Sequence, residues 1–263
     1  MKSDKGLHSF TWAGMLITIG IIFGDIGTSP LYVLRAITGE HAISKDLVLG
    51  AVSCILWTLT LQTTVKYIVI TLRADNKGEG GIFSLYALLR RYKSNFLALA
   101  AMIGGSALLA DGIITPPISI SSAIEGLHNL NENIPVIPIV IFIITVLFFI
   151  QQFGTGFVGK SFGPIMVVWF AMIGILGMVS LIQFPEVFAA INPSYAINLL
   201  TLYPGGFWLL GGVFLCTTGA EALYSDLGHC GRQNIRVSWM FVKVALLLNY
   251  FGQAAWLMQR EGT

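Results

Sequence analysis

The stretch Gly24-Asp25-Ile26-Gly27-Thr28-Ser29-Pro30 interrupts an apolar run of spanning length and puts a carboxylate, two hydroxyls, two glycines and a proline at mid-membrane depth. It reads as a transmembrane helix broken around a cation site. An ionised Asp at the bilayer centre costs about 2.5 to 3.5 kcal/mol even on the lenient insertion scale, so the residue calls for a partner or a task. A broken helix also frees backbone carbonyls, tolerated in a membrane only where protein, water or an ion satisfies them. The stretch points to a transporter.

Composition supports a membrane chain. Of 263 residues 55% are hydrophobic and 11% charged, whereas soluble domains carry about 25% charged residues; mean hydropathy is +0.78. A net charge of +2 gives no field that suggests nucleic acid. Cys54 and Cys216 lie in apolar stretches and Cys230 in a polar loop, with no metal spacing and no obvious mate, so neither a structural disulfide nor a bound transition metal is expected. No cofactor and no enzymatic reaction is implied.

Stretches of about 20 apolar residues fall at roughly 10 to 34, 47 to 72, 96 to 124, 134 to 152, 162 to 184, 205 to 224 and 237 to 258. The fold expected is all-α and integral to the membrane, with about seven spanning helices. The first is too long for a signal-peptide core and lacks a cleavage site, so it is expected to stay. An N-terminus in the cytoplasm puts Lys2, Lys5, Arg73, Lys77, Arg90, Arg91, Lys93, Lys160, Arg232 and Arg236 inside and leaves Arg35, Lys45 and Arg260 outside, which the positive-inside rule selects. The inner loop Leu72 to Asn95 opens as a Gly-rich turn. It continues with Ile82, Leu85, Leu88 and Leu89 opposite Arg90 and Lys93, read as a short helix along the inner interface. Its Lys77-Gly-Glu-Gly-Gly81 run lacks the trailing Gly-Lys-Ser/Thr of a phosphate loop.

Asp25, Asp111 and Glu221 are deep in apolar runs beside small or hydroxylated residues. Asp111, Thr115 and Ser119 share one helical face, and Pro116 with Pro117 should bend that helix. A plainer alternative makes Asp111 a cross-bundle partner in a kinked span. Thr217, Thr218 and Gly219 interrupt the sixth span just before Glu221, with Thr218 on its face; the alternative there is a Glu221 that snorkels toward Asp226. Breaks in the first and sixth spans imply a five-helix repeat, residues 1–184, and the start of a second, residues 205–258, in inverted topology. Residue-level similarity between the two units is not evident. A large dehydrated cation needs several oxygen dipoles, offered by Asp25, Tyr32, Asp111, Thr115, Ser119 and Thr218. Three carboxylates exceed one monovalent cation in charge, so a proton is expected at the site. Glu221 is assigned its exchange, with Asp111 sharing the proton-coupling role while it and Asp25 hold the ion.

The blocks Gly24-Asp-Ile-Gly-Thr-Ser-Pro-Leu-Tyr32, Arg73-Ala-Asp-Asn-Lys-Gly-Glu-Gly-Gly-Ile82, Ile114-Thr-Pro-Pro-Ile-Ser119, Thr218 to His229, and Leu248-Asn-Tyr-Phe-Gly-Gln253 resemble those of the Kup-type potassium uptake permeases, nearly end to end. The resemblance implies potassium/proton symport in the cell membrane, the inner membrane in bacteria, and the amino-acid/polyamine/organocation transporter fold. It implies cation-binding or coupling positions at Asp25, Tyr32, Asp111, Thr115, Thr218 and Glu221. Some relatives carry Glu where this chain has Asp111. Family members continue into further spans and a cytoplasmic C-terminal region, so a truncated frame, a fragment or one piece of a split transporter is expected, with a missing C-terminal half or a second copy as partner. Rival readings are a non-transporting assembly partner and an amino-acid or amine transporter of the same fold. An intramembrane aspartyl protease on Asp25 and Asp111 lacks the Tyr-Asp and Gly-x-Gly-Asp motifs.

Overall fold

A computed structural model describes residues 10–39, 42–129, 134–152 and 155–260. The described chain is helical. The first span begins at α1, Trp12–Ile22, whose N-cap Thr11 accepts from the Gly14 amide. It stops at Phe23 and resumes after a bend of 69° as α2, Gly24–Thr28, a 3-10 turn Ser29–Leu31 and α3, Val33–Thr38. The bend falls at the glycine and proline run, where a helix is cheapest to interrupt.

The second rod runs from Lys45 to Arg73. Its first half, α4, Lys45–Thr58, is capped by Ser44; Leu59–Ile70 then winds as a π-helix. Two threonine hydroxyls follow that wider winding, Thr64 donating to the Leu59 carbonyl at 3.2 Å and Thr71 to the Lys66 carbonyl at 2.7 Å, each five residues back. Beyond a tight turn come α5, Ile82–Leu89, and α6, Asn95–Glu125. The amphipathic helix expected in this loop forms. Its Ile82 and Phe83 lie on Gly104 and Gly105 of α6. Pro116 and Pro117 sit inside α6 without dividing it, so the expected bend does not break the helix.

Helix α7, Val136–Gln151, covers the stretch predicted at 134 to 152, but at 16 residues it spans about 24 Å, short of the roughly 30 Å hydrocarbon core. Among the described residues, five helices are by length and composition long enough to cross a membrane, or six if the bent pair counts as one span. The chain is therefore a multi-pass membrane protein. The remaining elements are α8, Thr155–Gln183, α9, Pro193–Leu202, α10, Gly206–Phe214, the two short helices α11, Ala222–Ser225, and α12, Leu227–Cys230, and α13, Arg232–Met258.

The centre is α13 packed along α8 and α1. Gly177 and Gly252 meet backbone to backbone there, leaving no room for a Cβ on either, the small-residue seam by which membrane helices approach closely. Phe23, Phe170, Trp239 and Tyr250 are wholly buried around it. α6 contributes only Gly105 and Thr115 to the buried set. Ion pairs sort to the two ends: Arg232 meets Asp75 at one, while Arg35 pairs with Glu125 and Lys45 with Glu186 at the other.

Candidate functional site

The two helix breaks face each other. Gly219 has φ +83, and a Cβ built on it would lie 2.6 Å from Asp25 Cβ and 3.1 Å from the Ile26 amide nitrogen. Only glycine adopts that backbone without strain while letting a second chain approach so closely. The interruption predicted at Thr217 to Gly219 is thus present: a 3-10 turn Leu215–Thr217 leads to an extended Thr218, ψ 131, and helix returns at Ala222.

Carbonyls along the broken segment accept from side chains, some within the segment itself and some on neighbouring helices. The Asp25 carbonyl accepts from Thr28 Oγ1 at 2.8 Å and Ser29 Oγ at 3.3 Å. The Gly27 carbonyl accepts from Trp169 Nε1 at 2.9 Å, and the Pro30 carbonyl from Gln253 Nε2 at 3.0 Å. Gln253 also donates to Asn249 Oδ1, and Asn249 to the Ile173 carbonyl, tying α13 to α8 and the break at once. Sequence reading quoted Gln253 within a motif and gave it no task; Trp169 carried no signal in its apolar run.

Every residue singled out for the cation gathers here. The Asp111 and Glu221 carboxyls lie within hydrogen-bonding reach of each other, and Asp25 is in electrostatic reach of both. Thr115, buried on α6, donates to Asp111 Oδ1 at 2.9 Å. The Tyr32 hydroxyl is 3.3 Å from Ser29 Oγ, also meets Thr218, and faces Asp25 and Asp111. Ser119 contacts Thr28 at 3.0 Å, so it reaches the broken helix rather than the carboxyl cluster directly. Glu221 turns to Asp111, while Asp226 stands 3.8 Å from His229 instead. Tyr67, on the π-helical stretch, also approaches Glu221, a neighbour the sequence did not announce.

Among the described residues, no Lys or Arg forms an ion pair with Asp25, Asp111 or Glu221. Asp25 is exposed and the other two partly so. Beside Tyr32 a cavity of about 650 Å³ opens, lined by Arg35, Ser122 and Glu125 among others. Outside the spans, burial pushes the Asp226 carboxyl above its ordinary range, opposed by His229.

Residues 12–263 match the family described as the K+ potassium transporter integral membrane domain. The chain is similar to a probable potassium transport system protein Kup of Cytophaga hutchinsonii, at 66% identity over 99% of this chain and 40% of the relative. It is likewise similar to proteins of the same description from Flavobacterium johnsoniae, at 63% identity over 99% of this chain and 40% of the relative, and Enterococcus faecalis, at 52% over 95% and 40%. The chain thus spans about 40% of the length of these curated relatives. No solved structure matches it.

Proposed function

The chain belongs to the K+ potassium transporter family, and on that premise we propose that it carries the ion pocket of a potassium/proton symporter for potassium uptake. The observation that carries the reading is the convergence of Asp25, Asp111 and Glu221 on two facing helix breaks. Potassium must replace its hydration shell with oxygen dipoles. The Asp25 and Asp111 carboxylates, the hydroxyls of Tyr32, Thr115, Ser119 and Thr218 and the unwound carbonyls supply them. Asp111 and Glu221 share a proton in the ion-poor state, and Glu221 passes it on, so the ion and the proton are coupled through one cluster.

In this reading the N-terminus is cytoplasmic in a bacterial inner membrane, because the basic end, with Arg73, Arg232 and Arg236, belongs inside. The cavity beside Tyr32 is then the outer approach. Seven helices, α7 included, cross the membrane, and the facing breaks are the corresponding first helices of two inverted five-helix repeats, the second completed by a C-terminal half or a second copy.

Glu221→Gln tests it. With the chain in vesicles, potassium binding is expected to stay measurable while its pH dependence disappears. Proton-driven uptake that is unchanged in this variant removes Glu221 from the coupling role.

A further inference from the structure

The polar loop after the π-helical stretch is held by contacts that the ion pocket does not use. Lys77, φ 56, and Gly78, φ 87, fold Asn76–Glu79 into a tight turn whose ends exchange both backbone hydrogen bonds, at 2.9 and 3.1 Å. Positive φ at both central positions is the type I′ geometry. Asp75 Oδ2 accepts from the Gly78 amide at 3.0 Å, and Asp75 Oδ1 from Arg232 Nη2 at 2.7 Å. The Tyr224 hydroxyl donates to the Ala74 carbonyl at 2.5 Å. Gly80 lies against the Tyr224 carbonyl with no space for a Cβ, Glu79 rests on Gly228, and Gly81 faces Ser225. The turn is therefore strapped across α11 and α12. The first of them, α11, starts from Glu221, whose carbonyl accepts from the Tyr224 and Ser225 amides, both at 3.0 Å.

Arg232 and Asp75 are 22% and 33% exposed, against 79% and 45% for the Arg35–Glu125 pair. A partly sheltered charged hydrogen bond holds more than an open one. Arg232 Nε, however, is buried without a partner among the described residues, which charges the closed arrangement a desolvation cost. We propose that Asp75–Arg232 is a releasable clasp: closed, it fixes α11 and α12 and so positions Glu221; open, it lets that segment move and uncovers the inner side of the pocket. The link to ion movement rests on the transport reading above, and the clasp itself does not.

Ser225→Cys, in the whole chain with Cys54, Cys216 and Cys230 replaced by Ala, reports on the loop that covers it. Its rate of labelling by a membrane-impermeant thiol reagent is measured from the side of the N-terminus. Asp75→Asn or Arg232→Gln is expected to speed labelling about tenfold, the size of one charged hydrogen bond, and the charge-swapped pair Asp75→Arg with Arg232→Asp to slow it again. Equal rates in the single variants, or a swap as fast as either, overturn the clasp. Should those variants fail to fold, Gly80→Ala keeps both charges and wedges the loop off Tyr224; faster labelling supports the clasp and an unchanged rate overturns it. Potassium uptake by the same vesicles is scored separately, so a clasp that opens in a protein moving no potassium stands while the transport reading falls.

Discussion

At the residue scale, Gly219 decides whether the two breaks can touch. Any side chain there meets Asp25 and must hold φ +83. Gly219→Ala is expected to cost about 1–3 kcal/mol of stability, read as a lower Tm, with weakened potassium binding because Asp25 is pushed aside. Thr115→Val keeps the shape and removes the donor to Asp111; potassium affinity should fall about tenfold, the worth of a hydrogen bond to a charged group, with Tm nearly unchanged. Asp226 gives a pH signature. Its pKa in the folded chain is raised by burial, so the folded state holds the proton longer than the unfolded one. The stability this adds is present below the unfolded pKa and lost as pH rises through the folded one. Asp226→Asn, which cannot ionise, is expected to raise Tm at neutral pH relative to the parent and to narrow the gap in acid. Asp25, Asp111, Glu221 and their hydroxyl neighbours were legible from sequence because charge in an apolar run is conspicuous. Trp169, Tyr67 and the task of Gln253 were not, since an aromatic or an amide reads alike whether it fills space or holds a carbonyl.

At the scale of elements, the first break was legible because Gly24, Gly27 and Pro30 each weaken a helix for a stated reason. The π-helical Leu59–Ile70 was not, because its wider winding shows only in five-residue back-bonds such as Thr64 to Leu59. Prolines in α6 weaken without dividing: the missing N–H at Pro116 and Pro117 removes bonds, yet the helix carries through from Asn95 to Glu125. Gln253 is the cross-element tie. Gln253→Leu leaves the Pro30 carbonyl without its donor, and is expected to cost about 1–3 kcal/mol, seen as a lower Tm and a broken helix that exchanges its amides faster.

Across the whole molecule, burial is uneven. α8, α13 and α1 form the packed frame, while α6, which carries Asp111 and Thr115, lies at the margin with most of its surface uncovered. Hydrogen exchange is expected to open α6 well before α13, because local stability follows buried contacts. Equal protection of the two helices would contradict that division. Sequence hydropathy located these helices without ranking them, since an apolar face reads the same toward lipid as toward protein.

Where Gly177 meets Gly252, no side chain stands between the two helices, so there is no rotamer to repack and no slack to take up. That line fixes how near α8 and α13 lie: backbone rests on backbone, and any side chain added there must force the two apart. A leucine at position 177 would act as a wedge, and the displacement would pass through Asn249 and Gln253 to the segment that carries Pro30.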